Sequence, residues 1–228
     1  MKYDILLFDV DNTLLDFDAN EKESFKSMIL EKGEEYSEEL YETYKKMNQK
    51  MWEAVERGEV TIDDVLYTRF SKLMKMYGKN VDGVEYENTY RFYLNQGIQE
   101  MPNVNEVLAE LKKNYRLYVI TNGIRETQES RMKRSGLVKY FEDIFISESI
   151  GANKPSSEFF DYVKKNIAGF DQSKTLIIGD SLTSDIKGGN LYGIDTCWFC
   201  KEGTVNNTDI IPTYEIHDLN EIFGIIES

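Results

Sequence analysis

Histidine is nearly missing from this chain: His217 is the single example in 228 residues. Chemistry that passes a phosphoryl group or proton between paired histidines is therefore excluded. Cysteine is scarce too. Neither Cys197 nor Cys200 is followed six residues later by arginine, because Gly203 and Asn206 stand there, so a cysteine-phosphatase loop is absent. Their C-x-x-C spacing lies in Asp195-Thr196-Cys197-Trp198-Phe199-Cys200, which reads as a strand. Residues three apart on a strand face opposite sides, so a disulfide between them is awkward. They are expected to be two small buried apolar residues rather than a redox pair, and no second cysteine pair completes a zinc site. Positive charge is in deficit, with 27 Lys and Arg against 41 Asp and Glu. The net charge of -14 argues against binding a nucleic acid polymer and means that an anionic substrate needs a local cation. No apolar run approaches membrane-spanning length, and the N-terminal run breaks at Asp9, unlike a signal peptide. A cytoplasmic protein without a membrane partner is expected. A G-x-x-x-x-G-K-[ST] phosphate loop is also lacking.

The chain does hold alternating apolar strands and amphipathic helices, at 41% hydrophobic and 30% charged residues, a balance that suits a folded domain. Strands are expected at Ile5–Phe8, Leu117–Ile120, Asp143–Ile146, Thr175–Ile178 and 194–199. Helices are expected around Val104–Leu111, Glu126–Arg134, from Ser156 or Ser157, over Ser184–Leu191 and over Leu219–Ile226. That alternation predicts an α/β fold, a Rossmann-like parallel sheet flanked by helices. Residues from Ala19 to about Leu94 break the pattern, being helical and rich in Tyr and Met. Leu40, Tyr44, Met47, Met51 and Val55 form a helical stripe ended by Gly58, and Thr61 with Asp64 forms a capping box. The expected organisation is one α/β core, 1–15 with 100–228, interrupted by an all-helical insertion at 16–99.

Chemistry gathers where the strands end. The run Ile5-Leu6-Leu7-Phe8 stops in Asp9-Val10-Asp11, two carboxylates one residue apart at the edge where open α/β sheets bind ligands. Desolvating them is costly without a compensating cation, and a divalent metal beside two carboxylates suggests phosphate chemistry. A second strand ends in Thr121-Asn122-Gly123 and a later one in Gly179-Asp180. Lys154 precedes Pro155, whose place in a first helical turn would leave the lysine amine free. Phosphate monoesters hydrolyse very slowly uncatalysed, so large charge stabilisation is required. A carboxylate nucleophile divides the reaction into two easier transfers, and a second carboxylate can serve the leaving oxygen and then the attacking water.

In motif order the chain resembles the haloacid dehalogenase (HAD) superfamily of phosphohydrolases with a helical cap inserted after the first motif. Asp9-Val10-Asp11-Asn12-Thr13-Leu14 matches its first motif, Thr121 the second, Lys154-Pro155 the third and Gly179-Asp180 with Asp185 the fourth. The resemblance implies Asp9 as nucleophile and Asp11 as general acid/base. It implies Mg2+ on Asp9, the Asp11 main-chain carbonyl and Asp180, with Asp185 supporting the metal or positioning Lys154. Thr121, Asn122, Gly123 and Lys154 would hold phosphate. Asp11 also distinguishes phosphatases from dehalogenases of this superfamily, which lack it. The insertion and the phrase Gly179–Gly189 are similar to pyrimidine nucleotidases, which implies a nucleoside monophosphate as substrate and a monomer or homodimer. Ser156-Ser157 replaces the common Asp-Pro, and Cys200 stands where Asn is frequent, which bears on substrate preference. A sugar-phosphate or phosphoglycolate phosphatase, a phosphomutase and a non-catalytic phosphoacceptor are the alternatives. In the insertion, Tyr67, Phe70 and Tyr90 are candidates for stacking on a base, or for core packing.

Overall fold

The apolar run at the N-terminus becomes strand β1, Ile5–Phe8, in the computed structural model, which describes residues 2–226. It is joined by β2 (Arg116–Thr121), β3 (Asp143–Ile146), β4 (Thr175–Gly179), β5 (Asp195–Phe199) and β6 (Tyr214–Ile216). The order is β3-β2-β1-β4-β5-β6, with every neighbouring pair parallel. A parallel sheet must be covered on both faces. Leu6, Phe8, Leu117, Val119, Leu176 and Ile178 pack on one face, with Val107, Leu108 and Leu111 of the helix Val104–Leu111. Ile5, Leu7, Tyr118, Ile120 and Ile177 pack on the other, against Phe159, Phe160 and Val163 of the helix Ser157–Asn166. The period of two along each strand thus separates two cores. Cys197 lies in the first of them, whereas Cys200 packs with Trp198 and Ile186; both thiols are free.

Contacts divide the chain into two compact units, Met1–Phe17 with Ile98–Ser228, and Asp18–Gly97. The second unit is helical throughout, with helices Glu38–Glu56, Ile62–Leu66, Arg69–Met76 and Gly83–Leu94 following Phe17–Glu31. The Thr61–Asp64 capping box forms in both directions. Its core is an aromatic stack in which Tyr44 lies 4.6 Å from Phe25 and 5.4 Å from Phe70, with Tyr90 5.2 Å from Phe70. Phe70 and Tyr90 are therefore core residues; only Tyr67 of the three stacking candidates is exposed. Buried among these rings, Arg69 makes two 2.8 Å bonds to Glu87 and donates to Asn48 at 3.1 Å; Asn48 in turn donates to Glu21 at 3.0 Å. Asn48 is buried where the stripe predicts Met47, because Arg69 and Glu21 need its amide.

Two further departures concern the sheet's carboxyl edge. The single helix expected over Ser184–Leu191 is a π-helical turn, Leu182–Ile186, followed by the helix Lys187–Tyr192. Strand β6 is not anticipated at all: three residues are too few for a readable alternation. Among the described residues no helix is long and apolar enough to cross a membrane.

Candidate active site

Strand β1 lies inside the sheet between β2 and β4; the chain builds outward from it through β2 to β3 and then crosses back to β4 on its other side, a reversal that opens a crevice at the carboxyl end of β1. Phe8 is level with Val119 of β2 and Ile178 of β4, so the residues just beyond these strands converge. Asp9 still belongs to the ladder through its N–H, which donates to the Ile178 carbonyl at 2.9 Å. The chain then turns tightly: Leu14 and Leu15 donate back to the Val10 carbonyl, and Asn12 takes the left-handed conformation that asparagine tolerates.

Lys154 is the hub. Its ammonium is buried and donates to Asp9 Oδ1 at 2.7 Å, Asp185 Oδ1 at 2.6 Å and the Ile120 carbonyl at 2.9 Å. All three protons are therefore engaged, which corrects the expectation of a free amine. Pro155 precedes the helix instead of opening it, because Ser156 is the N-cap and Ser157 the first helical residue. Burial opposes the lysine's charge, but Asp185 and Asp9 outweigh it and raise its pKa. The loop is fixed by Asn122, whose side chain accepts from the Lys154 N–H at 2.9 Å and donates to the Lys154 carbonyl at 2.8 Å.

Asp185 is buried, not a solvated helix-end acid. The π turn swings it under β4, where its Oδ2 accepts from Ser181 N–H at 3.1 Å. Only glycine fits above it: a Cβ on Gly179 would lie 2.3 Å from the Asp185 carboxyl carbon. Asp9, Asp180 and Asp185 each offer a carboxylate oxygen within 4.8 Å of the others. Three acids against one lysine leave uncompensated negative charge. Burial, with Lys154 opposing and the neighbouring acids adding, pushes Asp9 up to about 7, and burial followed by Asp9 and Asp185 holds Asp180 well above the carboxylate range. An all-oxygen, anionic set of this kind fits Mg2+, whose charge would reverse both shifts. Asp185 already uses both oxygens, on Lys154 and Ser181, which favours Asp9 and Asp180 as the direct ligands.

The Asp11 carboxylate does not join that cluster. It accepts from Gln128 Nε2 at 2.6 Å and from Arg131 Nη1, both on the helix Arg125–Arg134. Arg131 is entirely buried, its guanidinium 5.4 Å from the Phe17 ring, and its Nε and Nη2 find no hydrogen-bond partner among the described residues. Gln128 also donates to Thr121 Oγ1 at 3.2 Å, and Gly123 N–H donates to the same oxygen at 3.1 Å. Gln128 and Arg131 escaped the sequence reading because their helix looks polar all round. The available signal was their spacing of three, which places both on one helix face.

This constellation can be set beside known proteins. Residues 6–199 match the model of the haloacid dehalogenase-like hydrolases. The HAD-hydrolase YfnB of Bacillus subtilis is 44% identical over 225 residues, covering 99% of this chain and 96% of the relative. The pyrimidine 5'-nucleotidase PynA of Streptococcus pneumoniae is 39% identical over 228 residues, covering 100% and 96%. The crystal structure of YfnB bound to magnesium superposes with a TM-score of 0.95 at 43% identity, covering 100% of both chains. With three strand-end motifs and the Lys154 loop meeting at one crevice, and a family match that spans the sheet from β1 to β5, the chain belongs to the haloacid dehalogenase-like hydrolase family.

Proposed function

We propose that this protein is a magnesium-dependent phosphomonoesterase that works through an aspartyl-phosphate, with pyrimidine nucleoside monophosphates as its substrate class. The observation that carries the reading is the Lys154 ammonium held between Asp9 and Asp185, with Asp180 in the same cluster. Asp9 is the nucleophile: its carboxylate oxygen forms a bond to phosphorus as the ester oxygen departs. Asp11 gives that departing oxygen a proton and later takes one from the water that hydrolyses the acyl phosphate. Gln128 and Arg131 hold Asp11 for this work through the bonds described above.

Lys154, on exchanging one of its present hydrogen bonds, neutralises a phosphoryl oxygen, and the Thr121 hydroxyl with the backbone N–H groups of Asn122 and Gly123 orients the others. Both Thr121 and Gly123 are already tied to one another, so phosphate would exchange for that internal bond. Asp9, the Asp11 main-chain carbonyl and Asp180 would hold Mg2+, with Asp185 in support. The ion, when bound, supplies the charge that lets two anions approach. The substrate class is supported by the relative PynA, named a pyrimidine 5'-nucleotidase, at 39% identity over the whole chain.

The experiment is a panel of phosphate esters assayed for released inorganic phosphate, with Mg2+ and with EDTA. The expected result is preference for UMP and dTMP over hexose phosphates and phosphoglycolate, and loss of turnover in EDTA. Asp9→Asn is expected to be silent on every ester. Sustained turnover by Asp9→Asn overturns the nucleophile, and preference for hexose phosphates overturns the substrate class.

A further inference from the structure

The sole histidine and one of the two cysteines meet beside the outermost pair of strands in the same sheet. Cys200 follows β5 and His217 follows β6; the Cys200 N–H donates to the Ile216 carbonyl at 3.0 Å, extending the parallel ladder past its last registered pair, Phe199 with Ile216. The alternation of the strands then puts Cys200 on the face of Trp198, and His217 on the face of Glu215. Three donors of different chemistry converge there. Cys200 Sγ lies 3.5 Å from His217 Nδ1 and 3.8 Å from Glu215 Oε1, and His217 Nε2 lies 3.6 Å from Glu215 Oε1. The Cys200 thiol is buried, while the carboxylate and imidazole face solvent, which gives an ion a path in.

We infer that Cys200, Glu215 and His217 form a second metal site, for a thiophilic divalent ion of the Zn2+ type, distinct from the oxygen-lined aspartate cluster. The distances carry the argument. A tetrahedral Zn2+ with Zn–S of about 2.3 Å and Zn–N or Zn–O of about 2.0–2.2 Å has donor–donor edges of roughly 3.3–3.6 Å. The two edges that meet at Glu215 Oε1 already stand close to that spacing, at 3.8 Å from Cys200 Sγ and 3.6 Å from His217 Nε2. The imidazole is also braced: Nδ1 lies 3.0 Å from the Cys200 carbonyl oxygen. Two acceptors would repel at that distance, so Nδ1 carries the proton and Nε2 presents its lone pair. A backbone carbonyl on the far nitrogen is how metal-binding histidines are usually oriented. A thiol with an imidazole selects a borderline or soft ion, whereas Mg2+ prefers oxygen alone. Binding converts the Cys200 S–H to a thiolate ligand and releases that proton to solvent. The C-x-x-C spacing is incidental to the site, since Cys197 packs in the opposite core.

The test uses the reduced full-length protein in excess Mg2+, which occupies oxygen sites without competing for a thiolate. Co2+ is titrated in while near-ultraviolet absorption is followed for thiolate-to-cobalt charge transfer. One equivalent of Co2+ is expected to saturate the band, and Zn2+ to abolish it. Cys200→Ser is expected to lose the band, Cys197→Ser to keep it, and His217→Gln, at an exposed ring, to bind Co2+ at least about ten-fold more weakly. Absence of the band, its persistence in Cys200→Ser, or unchanged affinity in His217→Gln overturns the assignment. None of these readings depends on turnover, so the site stands or falls apart from the proposed hydrolase chemistry.

Discussion

Replacing Lys154 with methionine removes one charge and keeps the side chain's length. In the wild type that charge compensates two buried carboxylates at 2.7 and 2.6 Å and satisfies the Ile120 carbonyl at 2.9 Å. Truncating one partner of a buried ion pair costs about 3–5 kcal/mol, because the other charge is left unpaired in a poor solvent. The orphaned carbonyl adds to that figure. For a chain of this length each kcal/mol moves Tm by about 2–4 °C, so Lys154→Met should melt about 6–20 °C lower in EDTA. Calorimetry is the assay of choice, because the α/β and helical units can melt separately. Added Mg2+ should narrow the gap, since a divalent cation held by Asp9 and Asp180, as proposed, would replace the missing charge. A variant that melts within about 2 °C of wild type in EDTA would show that these ion pairs do not hold the site together, and the reasoning from burial and charge would fail.

Three other outcomes follow from particular contacts. Asp11→Asn should slow nucleotide hydrolysis by about 10²–10⁴, yet release a burst of one equivalent of nitrophenolate from p-nitrophenyl phosphate, a leaving group that needs no proton; equal loss of the first turnover on both esters refutes the acid role. Gly179→Ala drives a methyl into the Asp185 carboxyl group, 2.3 Å from the ideal Cβ, and should cost about 1–3 kcal/mol of stability together with most of the activity. Glu21, in the helical unit, is raised from 4.5 to about 7 by burial, against the opposing charge of Arg69. Its folded form therefore keeps a proton that the unfolded chain has lost between those values, and stability drains away as pH rises through the window. Glu21→Gln should remove that loss, gaining about 3 kcal/mol at pH 8 and almost nothing at pH 4. Tm measured for both proteins at the two pH values decides it.

Much of the site could be read before any coordinates because apolar runs that stop in polar groups announce strand ends. Asp9, Thr121 and Asp180 are all of that kind, and the parallel register carries them to one edge. Lys154 was legible as a site residue but not in its state: sequence suggests a loop amine, whereas burial between two acids commits every proton. Asp185 required the π turn, which no periodicity forecasts. Gln128 and Arg131 were hidden in a helix that looks polar all round, and the paired Arg69 and Glu87, on two different helices, stand 18 residues apart in sequence. Such partners are chosen by packing, not by local pattern. The sheet's last strand was invisible for a simpler reason, having too few residues to alternate.

The central strand has a further consequence, for the order in which the molecule can be assembled. Phe8 pairs with Val119 on one side and Ile178 on the other, so the earliest strand made is among the last to be completed. During synthesis the helical segment, whose contacts are internal, can consolidate while Ile5–Phe8 remains an unpaired apolar edge. Such long-range closure is slow, and an unpaired strand of this composition invites association with other nascent chains. A break placed at either junction between the two units would separate Asp9 from both neighbouring strands, leaving the fragment that carries Lys154 with Asp185 but without Asp9.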